Sequence, residues 1–554
     1  MNSSSTTLVE ANSTPDAQVR VDISDLASRL VFRPGEETDL GLTEGHTILY
    51  QSVLARTHAG SQEGHDQRLV LLLDHLLLVL RPQPDQERYE VCLRPIPLDL
   101  LIVSATAISK GPSGMTEALN LISCVNPSQA QEAEQGFPIT FARLGRKSGQ
   151  MTCWATTFEI QQGWIRRVRK QQEAMQERKR PIATELLARK VVSCAVPYDQ
   201  GRKIIYGIAS GVYLLELGES RHDPVKVLSM SGVTQIDVMQ SARLLIVLAE
   251  GVLLAFPLDV LDTEDSAANL ERAQRLASRV SFFKVGMCMG KVVLCAVKPS
   301  ALSSTVKVFE PAPENRARSI VPTLRRLVRS NPPLLAVLKE FYIPKQIYSV
   351  SVLKTKLCLV CAGAFEIIDL ESLGMQPLLD PADESLKFAS GRGSLEAVAL
   401  FRIKDNFLAC YNEIAFYLDK TGRHVKSEVS LIRWEGRPTS FAVHHPYIFA
   451  FDPAFVEVRH VETGQLVQVI PGGHIRCLFS RAPPPKADWA ETSEEQGNVL
   501  VGSDEGIVEL QISTPDEVVA HGRWWSFLCS AFAESYVLSL FPGTMWSKCS
   551  MPRR

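Results

Sequence analysis

No stretch of this chain reaches the ~18 consecutive uncharged apolar residues that a membrane-spanning helix requires. The nearest approach, WSFLCSAFAESYVLSLF at 525–541, carries Glu534 and several serines and reads as a helix or an unpaired tail. The N-terminus, MNSSSTTLVEANSTPDAQ, has no apolar segment of the kind a secretory signal needs. Any membrane contact is therefore expected to be peripheral. An excess of charge of one sign is missing too. With 59 Lys and Arg against 61 Asp and Glu the formal net charge is −2, which gives no reason to expect nucleic acid as a partner. P-loop, GxGxxG, HExxH and GxSxG arrangements are missing, so no catalytic residue, cofactor or enzyme active site is expected. Cysteine is not scarce, but the twelve are scattered. Several, such as Cys194, Cys288, Cys295 and Cys410, sit inside apolar runs, as reduced thiols of a cytoplasmic protein do.

What the chain does have is a repeated pattern. Seven times an apolar run meets a short turn and a second apolar run: IIYGIASGVYLLEL from 204, LLIVLAEGVLLAFPL from 244, VVLCAVKPSALSSTVKVFEP from 292, KLCLVCAGAFEIIDL from 356, FLACYNEIAFYLDK from 407, YIFAFDPAFVEVRHVETG from 447 and NVLVGSDEGIVELQI from 498. Successive starts lie 40, 48, 64, 51, 40 and 51 residues apart. Hairpins at that period build β-propeller blades. Further strands between them (VKVLSM, VTQIDVM, RVSFFKV, QIYSVSV, EAVALF, VSLIRW, IRCLF) complete four strands per blade over 190–513. Two longer spacers, 261–279 with a helix and the arginine-rich 316–340 as a helical insertion, are expected to protrude.

Ahead of the repeats the pattern differs. Residues 1–25 are rich in Ser, Thr and Asn and are expected to be disordered. DISDLASRLVF, from Asp22, reads as the end of a helix before Pro34-Gly35. Over 46–160, about seven strands follow one another: HTILYQSVLARTH, RLVLLLDHLLLVLRP (two strands around Asp74-His75), YEVCLRPIPLDLLIVSA, ALNLISCVN, FPITFARL and MTCWAT. The period then switches. Ile160, Trp164, Ile165 and Val168 share one helical face, and Pro181 marks a break. About seven antiparallel strands and one helix make a small barrel with the helix across one open end. Trp164 is the large apolar anchor that such a helix needs near its start.

A strand set ending in a helix with Trp164 resembles a pleckstrin-homology (PH) domain, here 46–180. PTSFAVHHPYIFAFDPAFVEVRHVETGQLVQVIPG, 438–472, resembles the citron-homology (CNH) domain, in the version found at the C-terminus of fungal Rho guanine-nucleotide exchange factors. LASRLVFRPGEETDLGL, 26–42, is similar to the connector ahead of the PH domain in those proteins, so 26–45 is read as connector and 181–189 as a linker. The resemblance covers roughly 26–513; residues 514–554 fit no pattern of the family. The fold expected is mainly β, a PH-like barrel with a C-terminal capping helix followed by a seven-bladed CNH propeller.

The resemblance implies a regulatory and docking module of Rho-type signalling, at the plasma membrane or cell cortex. A Rho-family small GTPase, anionic phosphoinositide and other cortex proteins are the implied partners. The family's exchange catalyst is a helical Dbl-homology domain. The roughly 45 residues ahead of the first barrel strand do not form one, so the chain is expected not to accelerate nucleotide release. The alternative is a CNH scaffold or tether in vesicle traffic. Such tethers carry α-solenoid repeats after the propeller, and none is found here; a kinase-associated CNH protein would need a kinase signature, also not found.

For anionic lipid, PH domains use Lys and Arg on the first two strands and their loop, because charge-assisted hydrogen bonds suit phosphate. Arg56 and Arg68 occupy that region beside His58 and His65, against Glu63 and Asp66. Arg166, Arg167, Arg169 and Lys170 form a denser cluster on the helix; its plainer reading is a solvated face. Metal chemistry is not expected. Cys358 and Cys361 form a lone CxxC whose thiols point to opposite faces of a strand, and His444-His445 have no further ligand at a suitable spacing.

Overall fold

The computed structural model describes residues 23–32, 46–56, 66–83, 88–105, 136–146, 149–178, 182–217, 223–263, 265–312, 333–389, 395–425, 431–480 and 499–512. The expected strand at 118–126, the tail 514–554, His58 and His65 lie outside them, as do most of residues 1–25, expected to be disordered, and 33–45 of the connector. The chain divides into two compact units, Met1–Arg143 with Ser148–Met175, and Leu144–Lys147 with Gln176–Arg554.

The described residues of the first unit form a single eight-stranded sheet. Helix α1 (Ile23–Arg29) runs into a two-residue strand β1 (Leu30–Val31). Then come β2 (Ile48–Ala55), β3 (Gln67–Leu73), β4 (Leu76–Pro82), β5 (Tyr89–Pro97), β6 (Leu101–Ser104), β7 (Phe137–Arg143), β8 (Gln150–Ala155) and the long helix α2 (Phe158–Arg178). The order is β1-β5-β4-β3-β2-β8-β7-β6, antiparallel throughout except that β1 lies parallel on β5. The near-continuous leucine of β3 and β4 has a simple cause: both faces of these strands are covered. Val70, Leu72, Leu77 and Val79 face the inner core with Phe141, Ile139 and Trp164. Leu69, Leu71, Leu73, Leu78 and Leu80 form a second core with Leu26 of α1, Leu30 and Phe32. The connector thus packs onto the back of the sheet, a role its sequence did not disclose.

The second unit contains seven four-stranded antiparallel sheets. Each of the seven hairpins read from the sequence forms the two central strands of one sheet, for example Lys203–Ile208 with Gly211–Glu216, and Val499–Ser503 with Gly506–Ile512. Central strands such as Leu244–Ala249 and Ile414–Leu418 are buried along their whole length, because each sheet is sandwiched between two others. Seven apolar clusters fill the seven gaps between successive sheets, including the gap between the last sheet and the first. The ring is therefore closed.

The closure corrects one expectation. Residues 181–189 are not merely a linker. Ile182–Ala188 (β9) pairs antiparallel with Gly506–Ile512 and supplies the outer strand of the seventh sheet. The reason is edge energetics: without β9 the row of polar groups along 506–512 is left open and Ile182, now 1% exposed, loses its core. Gln468 on the neighbouring blade accepts from Ile182 N (3.3 Å) and donates to Ile182 O (3.2 Å). The spacers are corrected as well. Within 261–279, the short helix α3 (Ser266–Glu271), capped by Asp265, does not simply protrude. Its Asn269 is 2% exposed and donates to Val227 O and Val260 O, both 3.1 Å away. The end of the supposed helical insertion is a strand, Leu335–Ile343, the outer strand of the third sheet.

Cys358 and Cys361 lie on opposite faces of one strand and enter two different inter-sheet cores. Burial pushes the thiols of Cys153 and Cys295 up to about 12 and that of Cys194 to about 11.

Two outcomes follow from this packing. Gln468→Leu leaves the Ile182 main chain without its partner and lowers stability by about 1–3 kcal/mol, read from the urea midpoint. The buried Cys153, Cys194, Cys288, Cys295, Cys358, Cys361 and Cys410 do not react with an aromatic disulfide reagent at pH 8 until the chain is unfolded; rapid labelling of any of them in the native protein, located by peptide mapping, contradicts the assignment.

Candidate functional site

The surface with the strongest case for binding is the outer face of α2. Its inner face explains its position. Trp164 is fully buried, its indole N–H donates to Ser52 Oγ (2.8 Å), and its ring meets Tyr50 and Phe141 edge-on at 4.8 and 5.5 Å. Three glutamines extend the grip. Gln161 donates to Pro138 O (2.7 Å), Gln171 to Asp74 O (2.7 Å), and Gln172 to Leu98 O and Leu101 O, both at 2.8 Å. They tie the helix to main-chain carbonyls at the edges of the sheet. Apolar periodicity could not reveal these glutamines; the only signal was their place on the same face as Trp164 and Val168.

This anchoring leaves Arg166, Arg167, Arg169 and Lys170 exposed. Arg167 Cζ lies over the Tyr50 ring, 4.1 Å from its centroid, a cation–π contact. Arg166 Nε donates back to Gln162 O at 3.4 Å. Arg169 and Lys170 are exposed on the same face, and no ion pair is recorded for either among the described residues. Arg56, exposed at the end of β2, donates to Thr152 O of β8 (3.0 Å).

Arg68 departs from its expected role. It is 4% exposed, and both of its terminal nitrogens are engaged by the Asp66 carboxylate. The hydrogen bond from Arg68 holds the Asp66 carboxyl below its usual range. The guanidinium is a structural element of β3 and is not presented to a headgroup. The cause is its register: position 68 faces inward, next to five buried residues in a row.

In the propeller, the first strands of the blades border a central channel of about 2370 Å³. Both signs of charge line it, with Asp237, Glu396, Lys284 and Arg402, alongside the half-exposed Met287 and Tyr348. No histidine is among the described residues that line it. His444 and His445 lie at the end of an inner strand, and burial pushes both imidazoles below their ordinary range. The arrangement suits docking by shape and mixed charge.

Comparison with known proteins agrees with this architecture. The CNH domain model matches residues 200–481 and the pleckstrin homology domain model residues 48–172. The chain is 34% identical over 481 residues to Rho1 guanine nucleotide exchange factor 1 of Schizosaccharomyces pombe, a match covering 83% of this chain and 36% of that protein. It is 28% identical over 502 residues to RHO1 GDP-GTP exchange protein 2 of Saccharomyces cerevisiae, covering 83% and 35%. The chain thus spans little more than a third of the length of these relatives. The solved AfRom2 CNH domain superposes with a TM-score of 0.50 at 33% identity, covering 60% of this chain and 99% of that one. With the PH model on the eight-stranded unit and the CNH model on more than half of the residues, the chain belongs to the CNH-domain family and corresponds to the C-terminal PH–CNH region of the fungal Rho1 exchange factors.

Proposed function

We propose that this chain is a non-catalytic regulatory and docking module of Rho-type small GTPase signalling, in which the propeller binds protein and the basic face of α2 meets an anionic membrane surface at the cell cortex. The observation that carries this reading is the match with Rho1 exchange factors across 83% of the chain, spanning both units. The chemistry of the surfaces supports it. Buried cysteines with raised thiol pKa values make poor nucleophiles, the channel lining has no histidine among the described residues, and mixed charge with exposed Met287 and Tyr348 is a protein-docking composition. Rho-family GTPase is the proposed protein partner, and phosphoinositide the proposed lipid.

The GTPase assignment is tested by capture. Immobilised chain is expected to retain a purified Rho-family GTPase and not a Rab-type GTPase, and the same sample is expected to leave the rate of nucleotide release from the Rho protein unchanged. Retention of the Rab protein alone moves the chain to vesicle traffic, and accelerated release overturns the non-catalytic role.

The membrane assignment rests on Arg169 and Lys170. Each charge near an anionic surface contributes about 1 kcal/mol, so Arg169→Ala with Lys170→Ala lowers partitioning onto phosphoinositide-containing vesicles about 30-fold at low salt. Arg68→Gln, by contrast, lowers thermal stability, because it removes the two hydrogen bonds by which the buried guanidinium holds Asp66. Vesicle binding unaffected by the double substitution removes α2 from the membrane contact.

A further inference from the structure

Two histidines and an aspartate, from positions 46, 74 and 75, converge at one end of the barrel. His46 lies just ahead of β2, and Asp74-His75 form the turn between β3 and β4. Folding brings His46 Nδ1 to 2.9 and 3.0 Å from the two Asp74 carboxylate oxygens. His75 Nδ1 lies 2.9 Å from Asp74 Oδ1, and the two imidazole rings are 4.0 Å apart between centroids. One ligand atom from each of the three residues falls within 4.8 Å of the other two.

We propose that His46, Asp74 and His75 form a binding site for a divalent transition-metal ion, with zinc the best match. Imidazole nitrogen and carboxylate oxygen are the donors that zinc accepts at about 2.0–2.2 Å. Donors at that radius stand about 3.0–3.4 Å apart across cis or tetrahedral angles; the His46–Asp74 and His75–Asp74 separations of 2.9 Å lie near that range, and the set as a whole, within 4.8 Å, closes by side-chain rotation. Asp74 supplies the charge. The three side chains are 27–30% exposed, so an ion and a completing water have access.

The main chain that carries the ligands is fixed. Asp74 N donates to Thr47 O (3.1 Å), Leu98 N to His75 O (3.0 Å) and Gln171 of α2 to Asp74 O (2.7 Å). The ligands therefore sit on pinned backbone, the preorganisation that a metal site needs. Bound metal would tie the residues leading into β2 to the β3–β4 turn, and through Gln171 that turn is already joined to the capping helix. This differs from the expectation of no metal drawn from the sequence, which weighed His444-His445 and the CxxC and passed over a site assembled from distant positions.

The test is calorimetric titration of the whole, chelator-treated chain with zinc chloride, with cobalt(II) absorption as a second readout. Wild type is expected to bind one zinc at this site with micromolar or better affinity, to melt at a higher temperature when zinc is present, and to give cobalt(II) d–d bands. His46→Ala and His75→Gln each weaken that binding roughly tenfold or more and abolish the thermal shift. His474→Ala is the control. It removes another His–Asp pair, with His474 Nδ1 2.9 Å from Asp504, but one without a second histidine, and it is expected to leave zinc binding unchanged. Circular dichroism checks that each variant is folded. No zinc uptake by the folded wild type, or equal uptake by the folded His46→Ala and His75→Gln variants, overturns the site.

Discussion

The propeller depends on apolar burial between neighbouring sheets, and that burial is complete only if the ring closes. Seven cores lie between seven sheets, each sheet contributing one face to the core before it and one to the core after it. An open ring would expose two whole faces, each a row of Val, Ile, Leu and Phe worth ~1.5–3 kcal/mol per side chain. The strand that completes the last sheet comes from the opposite end of the repeat array, so residues 182–188 and 506–512 hold the circle together. Residues this far apart in sequence must meet before the final core forms, which makes closure a non-local step.

Burying both faces of so many sheets creates a polar problem that side-chain amides solve. Gln235 donates to Phe283 O and accepts from Phe283 N. Gln274 does the same for Leu335 N and O, and Gln468 for Ile182. In the first unit Gln161, Gln171 and Gln172 donate to the main-chain carbonyls of Pro138, Asp74, Leu98 and Leu101. An amide carries a donor and an acceptor together, so one glutamine satisfies a peptide N–H and C=O at once without burying a charge. Where a charge is buried the protein surrounds it. Glu457, 1% exposed, accepts from Arg459 Nε at 2.5 Å and from Glu435 N at 2.8 Å, although burial still pushes its carboxyl up.

The same division separates structural from available charge. Arg68 and the α2 basic residues look alike in sequence, yet Arg68 is buried and bound by Asp66 while Arg169 and Lys170 stay on the surface. A strand places alternate residues on opposite faces, and a helix keeps its outer stripe in water; register alone decides which arginine a ligand can reach.

By itself, the sequence determined the seven hairpins, their order and the helix anchored by Trp164, because periods of two and 3.6 and a repeat of 40–50 residues are local properties of the chain. The opposite facing of Cys358 and Cys361 was legible for the same reason. Tertiary structure alone decided the rest. It turned the supposed linker into the closing strand, packed Leu26 and Phe32 behind the barrel, drew Arg68 inward and set His46 beside Asp74 and His75. Each of these pairs groups well separated along the chain or fixes a register against them, and no local pattern encodes which distant edge a strand will cover or which distant donor a side chain will meet.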